Sequence, residues 1–228
     1  MRREGTLEEI SDGRLYHKND MVRANCLDCK GCSDCCHGMG DTIQLDPLDC
    51  HRLQEGLKLS FSQLTDSGKI NLSVVDSLVL PSLSMSGEQN ACVFLNEQGR
   101  CSVHAICPGI CRLFPLGRYY DNGNFSYFLQ VHECSLKSRT KIKVSKWVDT
   151  PDLAQYEEFV VSWHYFLKDV EGWLAENGAE HAGEMSKTIL KYFYMEEYPK
   201  GEFYKTYRRK EAQFRRAFSM PAGGMGTK

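Results

Sequence analysis

Five cysteines within eleven residues constrain this chain more than any other feature of its sequence. The stretch CLDCKGCSDCC places Cys26, Cys29, Cys32 and Cys35 at a constant spacing of three, and Cys36 follows directly. Two cysteines separated by two residues can direct both sulfurs at one metal ion, and three overlapping pairs are a stronger signal than one. Six more cysteines follow, at Cys50, Cys92, Cys101, Cys107, Cys111 and Cys134. We therefore predict a metal-binding module over residues 26–134.

The rest of the composition affects how these cysteines are interpreted. The net charge is -2 and the pI is about 6.4, which argues against a surface built for nucleic acid. The N-terminus lacks the apolar core of a signal peptide, and no run of about 18 apolar residues occurs, so we expect a cytoplasmic protein without a membrane span. Disulfides are disfavoured in that compartment, and eleven is an odd number of cysteines. Metal ligation is therefore favoured over disulfide bonding.

The adjacent pair Cys35 and Cys36 bears on the kind of metal centre. Neighbouring side chains of an extended backbone point to opposite faces, so the pair indicates either two metal sites or one polynuclear cluster. The spacing is similar to the C-x2-C-x2-C part of bacterial iron–sulfur sequences, although the residues that follow differ. Zinc and iron–sulfur clusters both take thiolate ligands. The residues alone therefore leave the cofactor open between an iron–sulfur cluster and Zn²⁺.

Residues close to the cysteines could complete or support the site. His37 and His104 lie within the cysteine segments and are candidate additional ligands. Four thiolates on a divalent ion leave a net charge of about -2, so nearby cations would help. Arg112 follows Cys111 directly and is the cation expected there. The other basic residues near the cysteines are expected to be solvated surface charges: Lys30, Arg100 and Arg118.

Two further expectations concern individual thiols. Cys50 falls among the apolar positions of a predicted helix, which indicates a buried structural thiol. Pro108 suits the first position of a helix, with Cys107 as its N-cap and Cys111 in its first turn. The positive end of the helix dipole would then lower the pKa of both thiols.

The order of elements predicts an α+β fold, in which a small irregular cysteine-rich metal-binding module with short hairpins and helices precedes a C-terminal helical region. Asp46 and Pro47 begin a helix that extends to about Lys58. The other predicted elements are short helices over 6–11 and 60–67, strand over 70–83, hairpins over 92–103 and 117–131, and helices over 150–177, 183–198 and 202–218. We predict a cysteine-cluster domain at 1–149, a helical extension packed on it at 150–220 and a disordered tail at 221–228.

The combined motifs resemble the YkgJ-like cysteine-cluster family, described as a zinc- or iron-chelating domain of prokaryotic proteins. The resemblance covers residues 26–134 and rests on the cysteine run with segments 43–49, 92–95, 101–103 and 108–115 and Cys134. It implies eight metal ligands: Cys29, Cys32, Cys35, Cys36, Cys92, Cys101, Cys111 and Cys134. The family usually has arginine where this chain has Cys107, and Cys26 and Cys50 look additional. Whether Cys26 or Cys107 joins the site stays open.

Three functions follow from these patterns. The first is a cytoplasmic protein that coordinates an iron–sulfur cluster or zinc through about eight cysteines, with a role in redox or cluster-dependent chemistry. The second is a protein-lysine N-methyltransferase-like enzyme, because some larger members of the resembling family are flagellin lysine N-methylases. The chain has no G-x-G-x-x-G loop for a common methyl-donor site, so enzyme activity stays open.

The third function is a binding module for nucleic acid or protein that uses the basic and aromatic stretch 200–216. A solvated basic helix face is the more ordinary interpretation of that stretch, so nucleic acid is not the favoured partner. We expect metal ions as partners, with a protein partner or a second copy of the chain as further candidates.

Overall fold

The computed structural model describes residues 6–26, 32–134 and 138–221. The chain begins with a short helix α1 (Leu7–Ile10), in which the Thr6 amide donates to the Glu9 carboxylate at 2.7 Å, as the capping sequence predicts. Two strands then follow, β1 (Ser11–Tyr16) and β2 (Met21–Asn25), which the sequence did not predict. Both pair with strands more than 100 residues later, so no local pattern announces them.

The next part of the chain contains two well-capped helices, α2 (Pro47–Leu57) and α3 (Phe61–Asp66). In α2, the Asp46 carboxylate accepts from the Asp49 amide at 2.8 Å, and the Asp49 carboxylate accepts from the Asp46 amide at 3.2 Å. Lys58 takes the left-handed conformation that ends the helix. Both predicted helices are confirmed.

A β-hairpin, β3 (Ile70–Val75) and β4 (Leu78–Leu83), follows with Asp76 and Ser77 in the left-handed conformation of its tight turn. The strand predicted over 70–83 is therefore two strands. Next come the short strands β5 (Met85–Ser86) and β6 (Ala91–Cys92), which pair with each other. The hairpin predicted over 92–103 is reduced to a single bridge between Leu95 and Cys101.

A short helix α4 (Gly109–Leu113) leads into the main sheet, whose order is β1-β8-β7, all antiparallel. Strands β7 (Leu116–Asp121) and β8 (Asn124–Gln130) form the predicted hairpin, with Asn122 and Gly123 at positive φ in its turn. Strand β9 (Thr140–Lys143) then pairs with β2, and α5 (Val144–Val148) follows it.

The C-terminal region is helical, as predicted. It comprises α6 (Leu153–Asn177), α7 (Ala182–Ile189), which continues as π-helix over Leu190–Met195, and α8 (Phe203–Ala217). Asp152 is the N-cap of α6, which begins three residues after the predicted start at residue 150. No helix in the described ranges is both long and apolar enough to span a bilayer.

Aromatic side chains fill the space between these helices. The Phe166 ring lies 5.2 Å from that of Phe193 and 5.1 Å from that of Phe214, and Tyr207 lies against Phe159 at 4.8 Å, all between ring centroids. Such tilted and edge-on contacts are the favoured geometry of aromatic pairs. These rings are all buried and form the core of the helical region.

The basic stretch on α8 has the predicted solvated face at Lys205, Arg208, Arg209 and Arg216, which are exposed, but departs from it at two positions. Lys210 and Arg215 are only 4% and 5% exposed, so they do not belong to a solvated basic face. The Lys210 ammonium donates to the Glu196 carbonyl oxygen and lies 3.9 Å from the ring centroid of Tyr198, while Arg215 pairs with Glu211 and Asp169. These partners lie on other turns and helices, so the interior location depends on tertiary packing.

The helical region packs on the first half of the chain through specific polar contacts. The Tyr194 hydroxyl donates to the Leu45 carbonyl oxygen at 3.0 Å, and the Ser186 hydroxyl accepts from the Val79 amide at 3.0 Å. Gly109, at the start of α4, lies directly under the Tyr156 hydroxyl, where an added methyl group would collide with that oxygen. These contacts hold α6 and α7 against the part of the chain that carries the cysteines.

Candidate metal centre

Several predicted ligands lie on short, irregular pieces of backbone. Cys35 and Cys36 occupy a 3₁₀ turn (Asp34–Cys36), and a backbone bridge between His37 and Ala91 places that turn beside β6 and Cys92. Cys101 lies opposite Leu95 in a second bridge. A further 3₁₀ turn (His104–Ile106) leads to Cys107 and then to Cys111 in α4. Three separate stretches of sequence thus bring thiols into one neighbourhood.

The electrostatics of these thiols show that they lie close together. A hydrogen bond with the Cys36 thiol raises the pKa of Cys35, and burial adds to this effect. Burial also raises the pKa of Cys92, and the thiols of Cys101 and Cys35 raise it further. Burial is again the main cause of the raised pKa of Cys111, with contributions from the Cys107, Cys92 and Cys35 thiols.

The expected lowering of the thiol pKa at the start of α4 is wrong. Burial raises the pKa of Cys107 to about 11, against an opposing effect of the Arg112 charge, and raises that of Cys111 well above its ordinary value. The helix α4 has five residues, begins one residue later than predicted and gives little dipole to oppose the loss of hydration. In this environment the thiolate form needs a counter-charge close to the sulfur.

Two arginines near the cysteines, Arg112 and Arg100, affect the pKa values of thiols. The Arg112 charge lowers the pKa of Cys107, and its guanidinium donates to the carbonyl oxygens of Ala105 and Asp149 at 2.9 and 3.3 Å. Arg112 therefore fixes the loop on which Cys107 lies, in line with the role expected of it. Burial raises the pKa of Cys101, and the Arg100 charge opposes this rise, although the sequence analysis expected Arg100 to be a solvated surface charge.

The remaining cysteines differ in position. Cys50 is 0% exposed in the hydrophobic core, which confirms the predicted buried thiol. Cys26 is buried after β2, whereas Cys32 and Cys134 are half-buried at the two ends of the described segment 32–134. Cys29 and Lys30 lie outside the described residues. No disulfide joins any two of the described cysteines: Cys26, Cys32, Cys35, Cys36, Cys50, Cys92, Cys101, Cys107, Cys111 and Cys134.

The two candidate histidines are placed differently. Nδ1 of His37 lies 2.9 Å from the carbonyl oxygen of Ser33, a contact that orients the ring and fixes which nitrogen faces the backbone. This arrangement is typical of a histidine whose other nitrogen binds a metal. His104 is exposed on the second 3₁₀ turn.

The thiols are neighbours but do not form a closed coordination shell. Across the ranges 6–26, 32–134 and 138–221, no three histidine, cysteine or acidic side chains are grouped tightly enough to hold a metal ion. Of the eight ligands that the family resemblance implies, one, Cys29, lies outside those ranges. The donor set itself, several buried thiols beside two arginines, has the soft-ligand chemistry that zinc and iron–sulfur clusters require.

Asp49 is a residue of this neighbourhood that the sequence analysis missed. Its carboxyl group, 2% exposed, accepts from the Gly109 amide at 2.7 Å and so ties the N-terminus of α4 to α2. Burial raises the pKa of Asp49 to about 8, with a further contribution from the nearby Asp46 carboxylate. The capping pattern of α2 identified Asp46, but the bond to Gly109 spans 60 residues and has no local signal.

A cavity of about 490 Å³ opens beside the thiols. Its walls include Cys35, Cys36 and Cys111, together with Asp46 and Arg118. Arg118 is not the solvated surface charge that the sequence predicted, because its Nε atom is shielded from solvent and its guanidinium donates to the Tyr156 hydroxyl at 2.6 Å. Its neighbours come from α2 and α6, far away in sequence.

Comparison with curated proteins and with solved structures finds no match to this chain. The model of the CxxCxxCC family, described as a putative zinc- or iron-chelating domain, matches residues 28–142. The match spans half of the chain and includes all the cysteines of the neighbourhood described above. The chain therefore belongs to this family of cysteine-rich, zinc- or iron-chelating domains.

Proposed function

We propose that this protein binds an iron–sulfur cluster through cysteine thiolates, with zinc at the same thiols as the alternative. The proposed ligands are Cys29, Cys32, Cys35, Cys36, Cys92, Cys101, Cys111 and Cys134. The observation that carries the proposal is the mutual interaction of Cys35, Cys92, Cys101 and Cys111, which come from three separate stretches of the chain. Membership of a zinc- or iron-chelating family supports the same chemistry.

A metal centre accounts for the burial of these thiols. Several thiolates cannot lie close together in a poorly hydrated environment without a cation, because each charge would lack hydration and repel the others. A bound metal replaces the protons and supplies that positive charge. The charges of Arg100 and Arg112 offset what remains of the negative charge on the ligands.

The number and arrangement of the thiols favour a cluster over a single zinc ion. One tetrahedral zinc ion takes four ligands, fewer than the thiols in this neighbourhood. Adjacent Cys35 and Cys36 suit a polynuclear centre, in which neighbouring thiols can bind different metal atoms. When bound, an iron–sulfur cluster would supply electron transfer or cluster-dependent chemistry, whereas zinc would supply a structural cross-link. Cys107 and His37 are further candidate ligands.

The decisive experiment is purification without oxygen, followed by the visible absorption spectrum and by assays for iron, zinc and acid-labile sulfide. We expect iron and sulfide in similar amounts and a coloured protein. A colourless protein that contains zinc would establish the alternative, and a protein without metal would contradict the proposal. Replacement of Cys92, Cys101 or Cys111 by serine should reduce the metal content, whereas the matched Cys50→Ala variant should retain it because Cys50 lies in the core.

The proposal extends to location and partners. We propose that the protein acts in the cytoplasm, since a reducing compartment keeps thiols available for metal. The division at residues 149 and 150 remains a prediction. The helices after residue 150 pack on the first half of the same chain, through contacts such as that of Tyr194 with Leu45. A second copy of the chain or another protein would have to bind other surfaces.

A further inference from the structure

The cavity beside the thiols has the size and lining of a small-molecule site. Its volume of about 490 Å³ lies within the range of about 300–1,000 Å³ found for ligand pockets. Most of its wall is apolar, with contributions from Leu45, Leu113 and Trp163. Polar groups are concentrated at few positions, one of which is Arg118 on β7. A largely apolar wall with a few polar groups is typical of sites that orient an organic ligand.

Arg118 lacks a negatively charged partner at hydrogen-bonding distance. Its guanidinium donates to the Tyr156 hydroxyl at 2.6 Å, and that acceptor is a phenol. Burial raises the pKa of Tyr120, and the nearby Arg118 charge opposes this effect. The Nε atom of Arg118 is shielded from solvent and has no hydrogen-bond partner in the described part of the chain. Within the described part of the chain, Arg118 also forms no ion pair with a carboxylate within 4.0 Å. A half-buried guanidinium whose shielded Nε atom is an unused donor is a ready site for an anion.

Three carboxyl groups line the cavity, and two of them, Asp46 and Asp49, are already engaged elsewhere; the third is Glu133. Asp46 accepts from the Asp49 amide at the start of α2, and Asp49 accepts from the amides of Gly109 and Asp46. Burial raises the pKa of both carboxyl groups, in the case of Asp49 to about 8, which reduces their negative charge near neutral pH. Arg118, in contrast, keeps its positive charge at any physiological pH.

We propose that this cavity binds a small organic carboxylate, with its acid group on Arg118 and its apolar body along the cavity wall. The Tyr120 hydroxyl is a second polar group for the acid. Because Cys35, Cys36 and Cys111 also line the cavity, the bound molecule lies beside the thiols. The site goes beyond the proposed metal binding and does not depend on it, since every group that recognises the ligand belongs to the protein.

The test is isothermal titration calorimetry of the protein as purified without oxygen, with three probes of equal size: 4-phenylbutyrate, its amide and the corresponding amine. We expect the carboxylate to bind at least about tenfold more tightly than the amide, and the amine to bind more weakly still. Equal affinity for carboxylate and amide would overturn the proposal. Tighter binding of the amine would overturn it too, because the cavity would then be an acidic site formed by Asp46 and Asp49.

Variants identify the residue that holds the acid. Arg118→Gln should lower the affinity for 4-phenylbutyrate at least about tenfold, and Arg118→Lys should retain part of it. Arg208→Gln is the matched control, because Arg208 lies on the exposed side of α8, 58% exposed. Full affinity in Arg118→Gln would overturn the proposal, since the acid would then be held by a metal or another group. If that variant does not fold, the comparison of the three probes on the unchanged protein decides alone.

The metal content, measured on the same samples, separates this proposal from the previous one. A protein that contains metal but does not distinguish the carboxylate from the amide contradicts only the carboxylate site. A protein that lacks metal but binds the carboxylate through Arg118 contradicts only the proposed metal centre. Arg118→Gln is expected to leave the metal content unchanged, because the side chain donates to the Tyr156 hydroxyl rather than to a cysteine.

Discussion

Two regions of the molecule, residues 91–113 and residues 153–217, are stabilised by different kinds of side chain. The first carries three of the proposed ligands, Cys92, Cys101 and Cys111. The first segment contains little more than β6, two bridges, a 3₁₀ turn and the five-residue α4. The second contains α6–α8, which surround fully buried rings such as Phe166 and Phe214. Buried aromatic and aliphatic side chains stabilise the helical region, whereas the cysteine segment has few regular hydrogen bonds, and we expect its stability to depend on what its thiols bind.

This comparison shows where a metal matters for folding. A short irregular segment forms few cooperative backbone bonds, so a bound ion that links several of its side chains contributes a large share of its stability. A helix with a buried aromatic face does not require a bound ion for its stability. The two regions nevertheless share one continuous hydrophobic core, to which Leu113 and Phe166 both belong. Changes confined to one region should therefore affect the other only through a few contacts between them.

The largest effect is expected from removal of the metal. After treatment with a chelator, amide hydrogen exchange over residues 91–113 should become faster, and the free energy of local opening should fall by about 3 kcal/mol or more. We expect this size because structural metal sites contribute about 10 kcal/mol in small domains. Exchange in α6 and α8 should change little. Mass spectrometry of peptides before and after chelation measures both. Equally faster exchange in both regions would show that the metal stabilises the whole molecule. The proposed difference between the two regions would then be wrong.

The next effect concerns the aromatic region. Phe166→Ala should lower the free energy of unfolding by about 3–5 kcal/mol, because the ring is 0% exposed and packs on Phe193 and Phe214. Urea denaturation measures the change, with Phe166→Leu as the control that retains most of the apolar volume. The metal content of the folded variant should stay unchanged. Loss of metal in Phe166→Ala would show that the helical core also shapes the cysteine site.

A smaller effect is expected at the contact between the regions. In Gly109→Ala the new methyl group would collide with the Tyr156 hydroxyl, so α4 and α6 would have to separate, at a cost of about 1–3 kcal/mol. Removal of that hydroxyl in the double variant Gly109→Ala/Tyr156→Phe should recover part of the loss. Unfolding of the single and double variants in urea gives the coupling energy. Strictly additive changes in the free energy of unfolding would mean that residues 109 and 156 are not in contact.

The smallest effect concerns the pH dependence of the helical region. Burial lowers the pKa of Lys210 to about 8, although the Glu196 carboxylate acts in the opposite direction, and the neighbouring Arg209 charge lowers it further. An unfolded lysine has a pKa of about 10.4, so between these values the unfolded chain binds more protons and stability rises with pH. The contribution is at most about 1.4 kcal/mol per pH unit.

Urea unfolding of the wild type and of Lys210→Met at pH 8 and pH 10 measures this contribution as a difference. The wild type should gain stability relative to the variant as the pH rises. The matched control is Lys205→Met, because Lys205 is 79% exposed on the same helix and should behave like the wild type. A parallel pH dependence of wild type and Lys210→Met would show that the ammonium remains hydrated.

Helices and turns that are determined by residues close in sequence could be predicted. The Asp46 cap with Pro47 fixed the start of α2, and the sequence Asn122-Gly123 fixed the turn between β7 and β8. The period of apolar residues identified α6 to within a few residues at its start. The strands β1 and β2 were missed because their partners are more than 100 residues away. Strand β1 is also largely polar and lies at the edge of its sheet, so it has no apolar pattern of its own.

For the site, the sequence by itself determined the chemistry. The spacing of Cys26 to Cys36 and the later cysteines specify soft ligands, because thiol side chains retain their chemical preference in any fold. Only the tertiary structure decided the surroundings: the bond from Arg118 to the Tyr156 hydroxyl, the bond from Gly109 to Asp49 and the cavity beside the thiols. Burial and charge pairing depend on residues that are distant in sequence and meet only when the chain folds, and these are the quantities that decide pKa and ligand access.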